Sequence, residues 1–132
     1  MLLYDKKTKW IQLTRGDMLP LTITTEDKDG NDYIFKPGDI IRFKVFEPNN
    51  VENVVIQDEI TISEETKEAI LNVSGEKTKV GDYIENPVDY WYEVELNPDT
   101  APQTIIGYEL KSNKTPFPKV FTLLPEGGKK DD

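Results

Sequence analysis

The chain has 132 residues and a formal net charge of -9, from 25 acidic and 16 basic residues, and this length fits one domain with a real core. It contains neither cysteine nor histidine, which excludes disulfides, thiolate metal sites, histidine zinc ligands and a Ser-His-Asp catalytic triad. The acidic balance argues against nucleic acid as a partner, because binding to phosphates irrespective of sequence requires clustered lysine and arginine.

The sequence also argues against a membrane partner. No run of about 18 apolar residues is present to span a bilayer. The amino terminus carries charged residues soon after a short apolar start and lacks a signal-peptide core; these residues are Asp5, Lys6, Lys7 and Lys9. We therefore expect a protein that is made in the cytoplasm.

The first part of the chain alternates between strand patterns and turn signals. Trp10 to Thr14 and Leu19 to Thr25 place apolar residues at every second position, which predicts half-buried strands. Arg15-Gly16-Asp17 supplies the turn between them. Asp29-Gly30 predicts a hairpin turn, because glycine adopts positive φ at little cost, and residues 33–35 are expected to form a short returning strand.

The middle of the chain is predicted to contain the central strand of the fold. Ile40 to Glu47 follows the breaker Pro37-Gly38-Asp39 and places Ile41, Phe43 and Val45 on one face. Weaker strand patterns follow at residues 54–56, 59–62 and 69–73. A helical turn from Ser63 is not favoured, because its capping box is incomplete.

The last third contains the most regular strand pattern of the chain. Ser74 to Pro87 is irregular and is expected to cross between sheets, whereas Val88 to Leu96 alternates without interruption, with an acidic outer face that includes Trp91. Further strands are predicted at residues 103–110 and 120–124. Roughly eight to ten short strands predict an all-β, immunoglobulin-like antiparallel β-sandwich. Residues 1–126 are expected to form this single domain and residues 127–132 a polar, disordered tail.

Three aromatic residues form the candidate interaction surface. Trp10, Phe46 and Trp91 each fall on the parity opposite to the core series of their strand. Exposed tryptophans often anchor interfaces. Single exposed apolar residues are also ordinary, and a loop or terminus can cover the second face of a strand. Both interpretations remain open from the sequence.

Two short motifs could carry binding chemistry, but each has a simpler interpretation. Arg15-Gly16-Asp17 spells the tripeptide that integrins recognise on exposed loops, yet glycine and aspartate are favoured in turns on backbone grounds alone. Asp27, Asp29, Asn31 and Asp32 offer oxygen ligands of the kind that calcium prefers. Their spacing departs from an EF-hand loop and no bidentate glutamate follows, so a solvated hairpin tip is favoured.

Catalysis is not indicated by the acidic pairs. Glu93 and Glu95 share a strand face about 7 Å apart, a separation that resembles a glycosidase pair. Nothing nearby indicates the cleft that would raise the pKa of one carboxyl group. We therefore predict no catalytic residue, no metal site and no cofactor, and regard a small hydrolase as disfavoured.

Several segments, taken in order, resemble a known family: Leu13-Thr14-Arg15-Gly16-Asp17, Asp29-Gly30, Gly38 to Val45, Asp89 to Leu96, Gln103 to Gly107 and Phe121 to Leu124. In these segments the chain is similar to the amino-terminal immunoglobulin-like domain of phage upper baseplate proteins and related phage tail and fibre proteins of Gram-positive bacteria. The similarity spans about Trp10 to Glu126.

The resemblance implies an attachment module that packs against neighbouring virion proteins and has no known catalytic residues. On this basis we expect a non-enzymatic phage or prophage structural protein of a tail or baseplate. Such a protein is made in the bacterial cytoplasm, is located in the virion, and binds other virion proteins or further copies of itself. The alternative is a carbohydrate-binding β-sandwich module, which outward tryptophans and tyrosines would also suit.

Overall fold

A computed structural model describes residues 1–107, 109–110 and 116–126, and these residues form a β-sandwich. The predicted all-β sandwich is confirmed. The predicted tail, residues 127–132, lies outside the described residues, and the single-domain boundary at residue 126 stays a prediction. The strands are β1 (Leu2–Tyr4), β2 (Ile11–Thr14), β3 (Leu19–Ile23), β4 (Ile40–Glu47), β5 (Asn50–Thr61), β6 (Ala69–Val73), β7 (Val88–Leu96), β8 (Gln103–Ile106), β9 (Glu109–Leu110), β10 (Pro116–Phe117) and β11 (Lys119–Leu124), and the helical turn is α1 (Gly75–Thr78).

Two sheets of unequal size make up the sandwich. The larger sheet has the order β1-β2-β11-β7-β4-β5, with β8 also paired to β7, and the smaller sheet contains β3 and β6. All neighbouring strands are antiparallel except β2 and β11, which run parallel. The order β11-β7-β4-β5 matches strands G-F-C-C′ of a variable-type immunoglobulin domain, and β3-β6 matches its B-E pair.

The core lies where period-two alternation predicts it. In β7, the side chains of Tyr92, Val94 and Leu96 are buried, and the intervening residues face outward. Burial of one large apolar side chain stabilises a fold by roughly 1.5–3 kcal/mol. The buried residues of both sheets form one cluster: Ile11, Leu13, Leu19, Ile23, Phe35, Ile41, Phe43, Val45, Ile56, Ile62, Ala69, Leu71, Val73, Tyr92, Val94, Leu96, Phe121 and Leu123.

Residues 33–35 do not form the predicted strand. Their backbone makes one isolated bridge, in which the Phe35 N–H donates to the Thr66 carbonyl at 2.8 Å and the Thr66 N–H donates back at 3.2 Å. The Tyr33 N–H also donates to the Thr25 carbonyl at 2.9 Å. Phe35 is fully buried, so its side chain fixes this segment in the core, while Pro37 and Gly38 end any extension. Thr66 takes part in this bridge instead of a helical turn, consistent with the incomplete capping box.

Strand β5 is longer than the sequence indicates. The two weak patterns at residues 54–56 and 59–62 belong to one strand, because antiparallel pairing with β4 holds the whole segment extended. The register shifts at Val45/Phe46 and again at Phe46/Glu47. These bulges interrupt the alternation that sequence reasoning depends on.

The crossing segment contains one helical turn that the sequence did not predict. Ser74 caps it, since its Oγ accepts a hydrogen bond from the Lys77 N–H at 3.4 Å. The Thr78 hydroxyl donates to the Asp17 carbonyl at 2.7 Å. This contact seats α1 against the turn between β2 and β3, where Gly16 has a φ of +88° and its carbonyl approaches Gly75 closely.

Gly75→Ala should destabilise the protein. A Cβ at this position would overlap the backbone carbonyl of Gly16, and backbone cannot move aside as a flexible side chain can. We expect a loss of about 1–3 kcal/mol in the free energy of unfolding, measured by urea denaturation. Glu76→Ala, at an exposed position of the same turn, is the matched control. Equal stability of the two variants would contradict the close approach.

A half-buried polar network joins the loop before β4 to the turn after β7. Asp39 accepts hydrogen bonds from the Tyr33 hydroxyl at 2.9 Å, the Lys36 N–H at 2.9 Å and the Asn97 side-chain amide at 3.1 Å. Asn97 Oδ1 in turn accepts from the Ile40 N–H at 2.8 Å. Burial alone would raise the pKa of Asp39, but these hydrogen bonds together lower it below its ordinary value of 3.8.

Asp39→Asn should reduce the stability of the protein at neutral pH, and the stability of the variant should change less as the pH falls. A carboxyl group whose pKa is lowered in the folded state contributes stability above its unfolded pKa and loses it as the pH falls through the folded value. The difference in Tm between wild type and variant should therefore narrow as the pH falls below about 4. Asp29→Asn, at the exposed hairpin tip, is the control. A Tm difference that stays constant with pH would exclude this role for Asp39.

Candidate interaction surface

Strand register brings the three predicted aromatic residues into one row on the outer face of the larger sheet. Trp91 lies opposite Phe46 on one side and Val120 on the other. Trp10 immediately precedes β2, whose parallel pairing with β11 places it beside Val120. We call Trp10, Val120, Trp91 and Phe46 the aromatic row. The sequence indicated the face of each aromatic residue but not this alignment, because register depends on pairing between distant strands.

The members of the aromatic row differ in exposure. Trp10 is 41% exposed and Phe46 only 8% exposed, while Trp91 is half-buried. Phe46 is therefore not the accessible anchor that the sequence suggested, although it lies outside the core cluster. Phe46 and Glu47 are consecutive in β4, but their partners in β5, Val54 and Asn50, are separated by residues 51–53. A regular hairpin would have no residue between these two partners. Within the aromatic row, Trp10 carries most of the accessible aromatic surface.

The Trp10 ring is held in place. Its indole Nε1–H donates to Thr122 Oγ1 at 2.8 Å, and the Thr122 hydroxyl donates to Asp89 Oδ1 at 2.6 Å. One edge of the ring is thus hydrogen-bonded while the rest remains accessible. A ring that is already ordered loses little conformational entropy when a partner packs on it.

A shallow cavity of about 280 Å³ lies beside this ring. Thr8, Trp10, Asp89, Pro118 and Val120 line it. The lining combines an aromatic face with a carboxylate and a hydroxyl group. These are the features of a small anchor site on a protein surface, and also of a site that stacks a sugar ring.

The rest of this outer face is covered by ion pairs. Lys44 Nζ lies 3.2 Å from Glu93 and 3.3 Å from Glu95. Burial alone would lower the pKa of Lys44, but the two carboxylates outweigh this effect and raise it. The carboxylate pair considered for glycosidase chemistry therefore shares one ammonium group on a sheet face. This arrangement is typical of a surface ion-pair network.

Arg42 extends the network toward the edge strand. Its Nε donates to Glu59 at 2.8 Å, and both terminal nitrogens donate to the Asp99 carboxylate at 3.1 and 2.8 Å. The hydrogen bond from Arg42 lowers the pKa of Asp99. This bidentate contact ties the turn between β7 and β8 to the centre of the sheet.

Arg15 of the Arg-Gly-Asp turn faces the interior and not solvent. The residue is 4% exposed; its Nε donates to the Val80 carbonyl at 2.9 Å, and its terminal nitrogens contact the Gly81 carbonyl and Glu126. An integrin would need this guanidinium to be accessible. The structure therefore supports the interpretation as a turn, with Arg15 joining the crossing segment to the end of β11.

The acidic loop between β3 and β4 uses its oxygens for its own backbone. Asp27 Oδ1 accepts from the Asp29 N–H at 2.9 Å and the Asn31 N–H at 3.0 Å, which is the pattern of a side-chain-closed turn. In the part of the chain that the structure describes, no group of three or more acidic residues is arranged to hold a metal ion. None of the helical residues described there forms a helix long and apolar enough to cross a membrane.

A deeper apolar cavity of about 210 Å³ lies between β1 and β3. Its lining includes Tyr4, Leu21, Tyr92 and Ile106. The smaller sheet has two strands, so it covers the larger sheet incompletely, and this opening results. Few polar groups line it, so nothing in the described residues would orient a specific ligand there.

The fluorescence of the two tryptophans should differ in how strongly iodide quenches it. In Trp91→Phe, only the exposed Trp10 remains and iodide should quench its fluorescence strongly. In Trp10→Phe, the half-buried Trp91 should be quenched less, because quenching requires direct contact with the ring. Stern–Volmer slopes measured on the two variants provide the comparison, with free tryptophan as reference. A steeper slope for Trp10→Phe would contradict the surface described here.

Comparison of the chain with known protein families, with curated proteins and with solved structures finds no match. The resemblance to phage baseplate domains is therefore carried by the sequence segments alone. The function has to be argued from the chemistry of the surface.

Proposed function

We propose that this chain is a non-enzymatic structural protein of a phage or prophage virion. It serves as an attachment or assembly module of the tail or baseplate. Its partners are other virion proteins, and it is made in the bacterial cytoplasm and located in the virion. The observation that carries the proposal is the aromatic row with its fixed, exposed Trp10, together with the order of segments that resemble the baseplate family.

The outer face of the larger sheet suits contacts with other proteins better than catalysis. Trp10 offers an ordered aromatic anchor, and the adjacent cavity accepts a side chain from a partner. The ion pairs of Lys44 and Arg42 lie on the same outer face, on the side of the aromatic row toward β5, and satisfy the polar groups there. An apolar centre with a charged surround is the usual anatomy of a protein interface.

A carbohydrate-binding module is the second candidate, favoured by one observation. Trp10 presents its ring next to the Asp89 carboxylate, and sugar sites combine stacking with such acceptors. Binding on a glycan array that is lost in Trp10→Ala would support this candidate. An array without signal would count against it.

Mass spectrometry of purified particles from an induced lysogen of the source strain tests the leading proposal. We expect peptides of this protein in intact virions, with counts that give its stoichiometry. Absence from intact virions would refute the proposal.

A pair of variants tests the surface in the same particles. Trp10→Ala should lower incorporation into virions, because it removes the exposed anchor. Ile70→Ala is the matched control, since Ile70 is also exposed, at 62%, but lies on the smaller sheet. Equal loss in both variants would show that the aromatic row is not the contact surface.

A further inference from the structure

Among the residues that the structure describes, the larger sheet ends in a strand without an outer partner on each side. In the described residues, β1 forms one end of the strand order and β5 the other. An unpaired strand presents N–H and C=O groups that can pair with another chain. Natural proteins block such edges with proline, charge, bulges or a covering segment.

In the part of the chain that the structure describes, no proline, charge, bulge or covering segment protects the β1 edge, although the strand is only 3 residues long. Leu2, Leu3 and Tyr4 are all exposed, and Leu3 is 49% exposed. The strand itself contains no proline and no charged residue. In contrast, β3 contains Pro20, which has no N–H to donate. The bulges of β5 lie only near its start, opposite Phe46, and residues 56–61 pair regularly with β4, so this part of β5 keeps a regular outer edge. An exposed apolar edge such as that of β1 is a site for association with another strand.

The two ends of the sheet carry opposite charge. Lys6, Lys7 and Lys9 follow β1 against a single acidic residue, Asp5, and none of the three lysines forms an ion pair with a described residue. Such a net-positive segment stands out in a chain of charge -9.

The β5 end is acidic. Residues 50–68 contain one basic residue, Lys67, and six acidic ones: Glu52, Asp58, Glu59, Glu64, Glu65 and Glu68. Asp58 pairs with Lys77 at 3.0 Å and Glu59 with Arg42 at 2.8 Å. Counting these two cations still leaves this end net negative, so charge attracts it to the β1 end of another copy.

We propose that the β1 edge of one copy adds to the β5 edge of the next, so that the larger sheet continues from copy to copy. This inference names a partner within the structural role proposed above and rests on that role. The strand order and pairing directions make β1 and β5 run the same way. Copies related by translation therefore pair β1 with β5 in parallel. Such a head-to-tail contact builds an open filament, or a ring where successive copies are also rotated so that the assembly closes.

A symmetric contact between two β1 edges is the competing arrangement. It would bring together two net-positive segments and leave the acidic end unused. The head-to-tail arrangement uses both edges and pairs opposite charges. Charge complementarity therefore favours the β5 edge of a second copy as the partner that pairs with the β1 edge.

Two charge-reversal variants separate these arrangements by sedimentation velocity. Lys6→Glu with Lys7→Glu reverses the basic end, and Glu52→Lys with Glu64→Lys and Glu65→Lys reverses the acidic end without touching the ion pairs of Arg42 or Lys77. Wild type should self-associate, with affinity falling about tenfold or more from low to high salt. Each reversed variant alone should be monomeric. An equimolar mixture of the two should associate again, because every contact in it joins opposite charges.

Lys28→Glu with Thr24→Glu and Asn31→Asp, at exposed positions between β3 and β4, is the control that changes the net charge by the same amount as the Lys6 and Lys7 variant, and it should associate like wild type. Self-association of Glu52→Lys with Glu64→Lys and Glu65→Lys at wild-type strength would show the symmetric contact and overturn the proposal. So would a mixture that stays monomeric, or a monomeric wild type. A monomeric wild type that is present in virions would overturn this inference alone. Self-association of a protein absent from virions would overturn only the proposed virion role.

Discussion

The register of β7 against its two neighbours is the constraint on which the rest of the structure depends. Tyr92 lies opposite Val45 of β4 and Lys119 of β11, and this alignment sets which residues of three central strands face the core. A slip of one residue would turn the buried faces outward. The same alignment places Trp91 between Phe46 and Val120, so the core and the aromatic row are two faces of one register.

Much of the fold could be predicted because its strongest signals are local. Val88–Leu96 was bounded correctly from alternation alone, and the turn at Arg15-Gly16-Asp17 followed from its glycine and aspartate. Strand β1 was missed because three apolar residues carry no periodic signal. The strand expected at residues 33–35 failed because a single buried ring, Phe35, sets that segment's conformation through tertiary contacts.

The candidate site was less predictable than the fold. Parity indicates the outward faces of Trp10 and Trp91. Phe46 has the same parity but is buried, at a step of β4 where the partner strand is bulged, and parity carries no signal for a bulge. Arg15 looked like a loop residue, and its partners at Val80, Gly81 and Glu126 are 65 or more positions away. Contacts of such sequence separation leave no local pattern. Because the chain has 25 acidic residues, nothing in the sequence marks Glu126 as the partner of the buried Arg15.

The surface combines a specific anchor with general repulsion. A net charge of -9 keeps copies apart except where opposite charges meet. The lysines after β1 and the acidic stretch from β5 supply one such place, while Trp10 supplies an uncharged anchor on the outer face. Because these features occupy different parts of the molecule, one copy has room for more than one kind of neighbour.

The parallel pairing of β2 with β11 also has a consequence for how the chain is made. Ile11 and Phe121 meet in this ladder, so β2 has to wait during synthesis for a partner strand that lies far later in the chain. Until β11 leaves the ribosome, the inner edges of β2 and β7 are both open, and the nascent chain exposes two apolar strand edges at once. Such non-local closure slows folding and favours aggregation of incomplete chains. The yield of folded protein therefore depends on β11 being synthesised before the open edges of β2 and β7 aggregate.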